Sequence, residues 1–204
     1  MKWTFPIFAT ILLSAGITAC YPGIPKARDD TPASQPRLAE TYYPLSTRTG
    51  IEEIDRILEA SGDVQKLRSL VQFTSTKCTK REGLGGPPKC LPGEGDGTPV
   101  DVFPFLGPEG YFFRKDEIEK WQGFNAFGIF AIYEVSAHAY SDENYPAGKY
   151  AILFVGRENQ PAISLRVGNG GIVRVDNFFE NSSESLNAIL QREAAKLILA
   201  PVTH

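Results

Sequence analysis

The chain has 204 residues, room for one domain of ordinary size with its own core plus flanking segments, and a second independent domain is not expected. Its formal net charge is −3, with acidic and basic residues interspersed, so it lacks the broad basic footprint of a nucleic-acid binder. Three cysteines without a CxxC spacing, together with two histidines, do not make a zinc or redox centre, and no metal or other cofactor is expected.

The leading segment reads as an address. Lys2 supplies a small positive start, Phe5 to Ile17 an apolar run, and the small residues Thr18 and Ala19 lead into Cys20, the order of an export signal. The run of about 13 residues falls short of the ~20 a membrane-spanning helix needs, and Pro6 and Gly16 near its ends weaken such a helix further. A leader over residues 1–19 that is cleaved off is the expectation. Ile17-Thr18-Ala19-Cys20 resembles the lipobox of bacterial lipoproteins. The resemblance implies a diacylglyceryl group on the Cys20 thiol, cleavage before it, and a membrane partner held by acyl chains that each gain ~0.8 kcal/mol per buried CH₂. Residue 21 is tyrosine, not the aspartate that retains some lipoproteins at the inner membrane. The resemblance therefore implies the outer membrane in a Gram-negative cell, and otherwise the outer face of the cytoplasmic membrane.

With Cys20 assigned to lipid, Cys78 and Cys90 remain as an even pair in an oxidising compartment, and a disulfide between them is expected. Closing a loop of this size stabilises a fold by roughly 3 kcal/mol in the chain-entropy account.

Pro22, Pro25, Pro32, Pro36 and Pro44 among Ser, Thr, Arg and Asp disfavour regular structure, so residues 20–49 read as a lipidated cysteine and a tether, and residues 50–204 as a single domain. Tyr42, Tyr43 and Leu45 would shorten the free part if they dock on that domain. Ile51, Ile54, Ile57 and Leu58 recur at helical spacing between Glu52, Glu53, Asp55 and Arg56, which predicts an amphipathic helix. Ser61-Gly62-Asp63 interrupts it, and Asp63 is placed to cap a second, shorter helix carrying Leu67, Leu70 and Val71.

Residues 79–98 hold nine Gly and Pro positions, from Gly83 to Gly97, which favour turns over regular structure. The segment lacks the Gly-Lys-Ser/Thr ending of a phosphate loop, and Glu94 and Asp96 are too few for a calcium loop of the EF-hand kind. Val100, Val102, Phe103 and Phe105 then predict a strand, and Asp116 to Trp121 a short helix or turn. From Phe127 to Tyr140 a long apolar strand is expected, with Ile129, Ala131, Tyr133 and Val135 on one face and Phe130, Ile132, Glu134, Ser136 and His138 on the other. Further strands fall at Tyr150–Arg157, Ala162–Val167 and Ile172–Phe178, antiparallel across short turns. On the last two, Ser164, Arg166, Arg174 and Asp176 alternate with apolar residues, predicting one packed and one polar face. Leu186, Ile189, Leu190 and Leu197 predict a closing helix capped near Ser182 or Ser183.

The fold class expected from this order is α+β: N-terminal helices, an antiparallel meander of four to five strands, and a C-terminal helix covering one sheet face. The helix break and later meander, over residues 51–180, resemble cone-shaped domains of the nuclear transport factor 2 and SnoaL type, from which the glycine-rich cysteine insertion departs. The segment Leu84-Gly-Gly-Pro-Pro-Lys-Cys90 is similar to one found in uncharacterised bacterial lipoproteins.

The best polar constellation in the sequence is His138 with Glu134 and Asp176 as carboxylate candidates, and with Arg166 and Arg174 on neighbouring strands. A histidine oriented by a carboxylate can perform acid–base chemistry near neutrality. The competing reading is a solvated polar sheet face with cross-strand ion pairs. Ser136 and His138 are two apart on one expected strand and lack a nucleophile-elbow sequence, which excludes a hydrolase triad built on them. Trp121, with Phe124, Phe127, Tyr111, Phe112 and Phe113, reads either as core or as an aromatic wall for a ligand or partner, to which Arg166 and Arg174 would add charge. The expected function is a lipid-anchored envelope protein whose domain binds a small ligand or an envelope protein. The alternative is a small pocket enzyme using His138 and a carboxylate. A third reading is an accessory subunit that contacts an envelope complex through the glycine-rich loop.

Overall fold

The computed structural model describes residues 42–157 and 160–202, so the expected leader, Cys20 and the expected tether up to residue 41 lie outside the described residues. Within them are three α-helices, α1 (Glu52–Ala60), α2 (Val64–Ser69) and α3 (Ser183–Glu193), and a 3-10 turn at Lys115–Lys120. The strands are β1 (Thr74–Lys77), β2 (Pro99–Leu106), β3 (Tyr111–Arg114), β4 (Ala126–Val135), β5 (Tyr150–Gly156), β6 (Ala162–Gly168), β7 (Gly171–Phe178) and β8 (Ala194–Leu199).

The strands form one eight-stranded sheet in the order β1-β2-β7-β6-β5-β4-β8. Val102 of β2 pairs with Thr74 on one side and Arg114 on the other, which puts β3 at an outer edge. β2 and β7 run parallel through Phe105–Val175 and Leu106–Asp176, and the other strand pairings are antiparallel. The fold is therefore a mixed sheet with a few short helices, not the expected meander of four to five antiparallel strands between helices. β4 to β7 do form a meander, but β1, β3 and β8 are short, partly exposed strands without clean alternation. The parallel β2–β7 contact closes across residues distant in sequence, which local patterning does not report. Leu197 lies in β8, not in the closing helix, because α3 stops at Glu193 and Ala194 turns extended.

α1 and α2 cover one face of the sheet. In α1 the residues Ile54, Ile57 and Leu58 are buried, while Asp55 accepts the amides of Thr49 at 2.7 Å and Gly50 at 3.0 Å and so fixes the entry to the helix. Asp63 caps α2 by accepting the amides of Gln65 at 2.9 Å and Lys66 at 3.2 Å, as the sequence predicts. Ile54, Ile57 and Leu67 pack with Phe103, Phe105, Trp121, Ile152, Phe154 and Leu165 in the larger core, each fully buried Ile or Leu contributing about 2 kcal/mol. On the opposite face α3 seats Leu186, Ile189 and Leu190 on Phe130, Ala131, Tyr133, Leu153 and Val155.

β4 serves both cores through a fault in its register. Ile129 pairs with Phe154 and Ala131 with Leu153, so one residue is inserted on β4 and the side-chain alternation resets. Ile129 and Ile132 consequently face the larger core, and Phe130, Ala131 and Tyr133 the smaller one. This replaces the expected faces, in which Ile129, Ala131 and Tyr133 lay together. β4 also ends at Val135, leaving Ser136 and His138 in the connection to β5.

The segment before α1 docks on the sheet. Tyr43 exchanges two backbone hydrogen bonds of 2.9 Å with Ile129, and Tyr43 and Leu45 pack on the larger core. Gly128 permits this approach, since a Cβ there would lie 2.9 Å from the Tyr43 carbonyl oxygen.

Candidate functional site

The polar face of β6 and β7 is buried, not solvated: Ser164, Arg166, Arg174 and Asp176 are all 2% exposed or less. Two elements cover it, α3 with its terminal Glu193, and the β4–β5 connection with Tyr140, Asp142 and Tyr145. Arg166 and Arg174 are direct cross-strand neighbours, an arrangement that is repulsive alone. Asp176 resolves it by accepting from Arg166 Nε at 2.6 Å and from Arg174 Nε at 2.6 Å and Nη2 at 3.1 Å. Arg166 also reaches Glu193, whose other oxygen accepts from Arg192 at 2.8 Å. Tyr133 donates its hydroxyl to Glu193 at 3.2 Å. Burial alone would raise the Glu193 carboxyl, but the Arg166 charge and the Arg192 hydrogen bond outweigh it and hold the group below its usual range. Burial, ahead of the neighbouring charges, pushes the Tyr133 hydroxyl well above the usual phenol range.

Arg174 turns its remaining nitrogen outward. Its Nη1 donates to the carbonyl oxygens of Tyr140 and Tyr145 at 3.0 Å each, tying the β4–β5 connection to the sheet. Asp142 orders that connection from within by accepting the amides of Asn144 at 2.8 Å and Tyr145 at 2.9 Å and the Tyr140 hydroxyl at 2.5 Å. Burial, with smaller contributions from Tyr140 and Asp142, pushes the Tyr145 hydroxyl up to about 12.

The constellation named from sequence is thus partly assembled and partly dispersed. Arg166, Arg174 and Asp176 meet, but as buried ion pairs, beside which Arg166 Nη1 and Ser164 Oγ have no hydrogen-bond partner among the described residues. His138 is exposed on the β4–β5 connection, and its amide donates to Ser136 Oγ at 3.3 Å. Glu134 lies near the sheet edge, 3.7 Å from Lys196 Nζ. Both oxygens of Asp176 are engaged by guanidinium groups, so His138 has no orienting carboxylate from the set. Glu193 and Tyr133 complete the network and were not singled out from sequence. An acidic residue at the last position of a helix, opposed to the helix dipole, was the available signal for Glu193.

Trp121 is core: it is 4% exposed and packs 5.3 Å from Phe103 and 5.8 Å from Phe105, ring centre to ring centre. Phe124 packs at a tilt against Phe154 and Phe113 edge-to-face against Phe105, while Phe112 lies against Tyr145. Tyr111 differs. One face of its ring stacks on Phe105 at 4.7 Å with the planes 14° apart, yet half of the residue is exposed.

Beside Tyr111 lies the glycine-rich connection between β1 and β2. Cys78 and Cys90 form the expected disulfide, with Cα atoms 4.9 Å apart. Glu94 sits next to the bridge, but the sulfurs are bonded to each other and the carboxylate is held by Arg114, at 2.7 Å from Nη1 and 2.6 Å from Nη2. That bidentate contact and the Leu91 amide hold the Glu94 carboxyl below its usual range. Arg114 also donates to the Lys89 carbonyl at 3.0 Å, which pins the loop to β3. Between loop and strand runs a groove of about 380 Å³ walled by Leu84, Pro87, Pro88, Leu91, Tyr111 and Phe112, with Arg114 and Glu117 at its polar side. Gly110, at φ +57, also lines it, and a Cβ at this position would lie 2.4 Å from the Tyr145 hydroxyl. The groove therefore abuts the connection that Arg174 holds.

Comparison of the chain with family models, with curated proteins and with solved structures finds no match. No helix among the described residues is long and apolar enough to cross a membrane.

Proposed function

We propose that this chain is a lipid-anchored protein of the cell envelope whose domain is a non-enzymatic binding module, with the groove beside the disulfide as its recognition surface. The carrying observation is a division of labour among side chains. The charged residues best suited to chemistry, Arg166, Arg174, Asp176 and Glu193, are buried in ion pairs with one another, whereas three of the large apolar residues exposed among the described residues, Leu84, Leu91 and Tyr111, gather at one groove, with Phe127, Tyr140, Phe179 and Leu197 exposed elsewhere. A groove with apolar walls and a few fixed charges, braced by a cross-link and a bidentate ion pair, binds with little ordering cost. The disulfide supports an oxidising compartment, and the lipobox-like residues before Cys20 support export and acylation. In a Gram-negative cell Tyr21 favours delivery to the outer membrane.

Two measurements test the two halves. Palmitate labelling in growing cells marks the wild-type chain and not Cys20→Ser, and equal labelling of both removes the anchor. A thermal-shift screen of envelope-derived small molecules and peptides against the purified chain yields ligands whose shift is lost in Tyr111→Ser, a substitution at a half-exposed position. Ligands that shift Tyr111→Ser as strongly as wild type place recognition elsewhere.

A further inference from the structure

We infer that the disulfide loop is a second membrane contact, one that seats on anionic phospholipid headgroups. The inference deepens the binding-module reading and rests on its placing the domain at a membrane.

Residues 77–91 carry four cations, Lys77, Lys80, Arg81 and Lys89, against one carboxylate, Glu82, in a chain whose net charge is −3. All four cations are exposed, and none forms an ion pair among the described residues. Lys89 Nζ instead donates to the Arg81 carbonyl at 3.0 Å, which draws the two sides of the loop together, and Lys80, Arg81 and Lys89 line one surface cleft with Leu91. The nearby Asp96, itself exposed, accepts the Lys80 amide at 2.8 Å and offsets part of the Lys80 and Arg81 charge, which leaves the loop with a net positive balance. Between the cations, Leu84 stands at the tip with 79% of its surface exposed, and Leu91 is 47% exposed.

An apolar tip ringed by cations on a cross-linked loop has the chemistry of a bilayer interface, where the leucine enters the acyl boundary and the cations meet phosphate. Each basic residue near an anionic surface changes binding roughly fivefold, and one lipid chain plus a basic patch is a sufficient pair of anchoring signals. The roughly twenty residues between Cys20 and Tyr42 reach up to about 70 Å if extended, against a domain about 40 Å across, so length does not forbid the contact.

The test is hydrogen–deuterium exchange on the full chain in nanodiscs of phosphatidylcholine alone or with phosphatidylglycerol. The amides of residues 82–86 make no backbone hydrogen bond among the described residues, so they exchange quickly unless something covers them. Exchange across 82–86 slows about tenfold in the anionic discs only. The protection disappears in Lys80→Glu/Arg81→Glu and at ~0.5 M salt, where screening shortens to about 4 Å. Unchanged exchange in the core strands β5 and β6 shows that the variant is folded. Equal exchange of 82–86 in the two discs overturns the inference, as does protection that survives the double charge reversal. Where the chain carries no acyl group, the Cys20 thiol is coupled to a maleimide lipid in the disc, so the loop is read either way. The mass of the same sample reports acylation of Cys20 separately.

Discussion

Arg166 and Arg174 face each other across β6 and β7, two guanidinium groups buried side by side with Asp176 as their shared acceptor. The pair explains why a polar stripe in the sequence becomes interior. Asp176 and Glu193 offset the two charges, and the outward nitrogen of Arg174 recruits the β4–β5 connection as a cover.

Removing the shared acceptor leaves the two cations uncompensated. Asp176→Asn is expected to destabilise the fold by about 3–5 kcal/mol, because breaking a buried pair costs far more than the intact pair contributes. Thermal unfolding followed by circular dichroism reads this as a fall in Tm of about 10 °C or more. A change below 1 kcal/mol would mean that solvent reaches the network.

Glu193 gives the network a pH dependence of known sign. Its carboxyl is held below the ordinary value of 4.5 in the folded chain, so the folded state binds fewer protons there than the unfolded state. The stabilisation is fully present above about pH 4.5 and is lost as pH falls through the lowered folded value. Urea titrations between pH 7 and 3 should show this acid loss, and Glu193→Gln should flatten it while lowering stability at pH 7. An acid limb as steep in Glu193→Gln as in wild type assigns the effect to other carboxylates.

The disulfide links the loop's order to the groove. Cys78→Ala/Cys90→Ala should lower stability by roughly 3 kcal/mol, and exchange should quicken across residues 79–98 while α1 and β5 keep their protection. Uniform loss of protection would show instead that the bridge supports the whole sheet.

Much of this architecture is visible in the sequence where periodicity is local. The Ile54–Ile57–Leu58 stripe, the Asp63 cap and the strands β5 to β7 follow from spacing alone. Three features do not. The residue inserted between Ile129 and Ala131 swaps the faces of Ala131 and Ile132 with no glycine or proline at the insertion itself. The parallel β2–β7 contact depends on residues some seventy positions apart, such as Phe105 and Val175. The polar stripe Ser164, Arg166, Arg174, Asp176 alternates as a solvated face would, and only the placement of Glu193 and the β4–β5 connection makes it interior. The same limit applies to the site. The count of cysteines pairs Cys78 with Cys90, but Leu84, Leu91 and Tyr111 converge only once Arg114 pins the loop to β3.

The most direct measurement is site-specific photo-crosslinking in intact cells, with the reactive side chain placed in turn at the exposed apolar positions Leu84, Tyr111, Phe179 and Leu197. Recognition through the groove predicts adducts from Leu84 and Tyr111, with Phe179 and Leu197 unreacted. Adducts from Phe179 or Leu197 while both groove positions stay unreacted would contradict it.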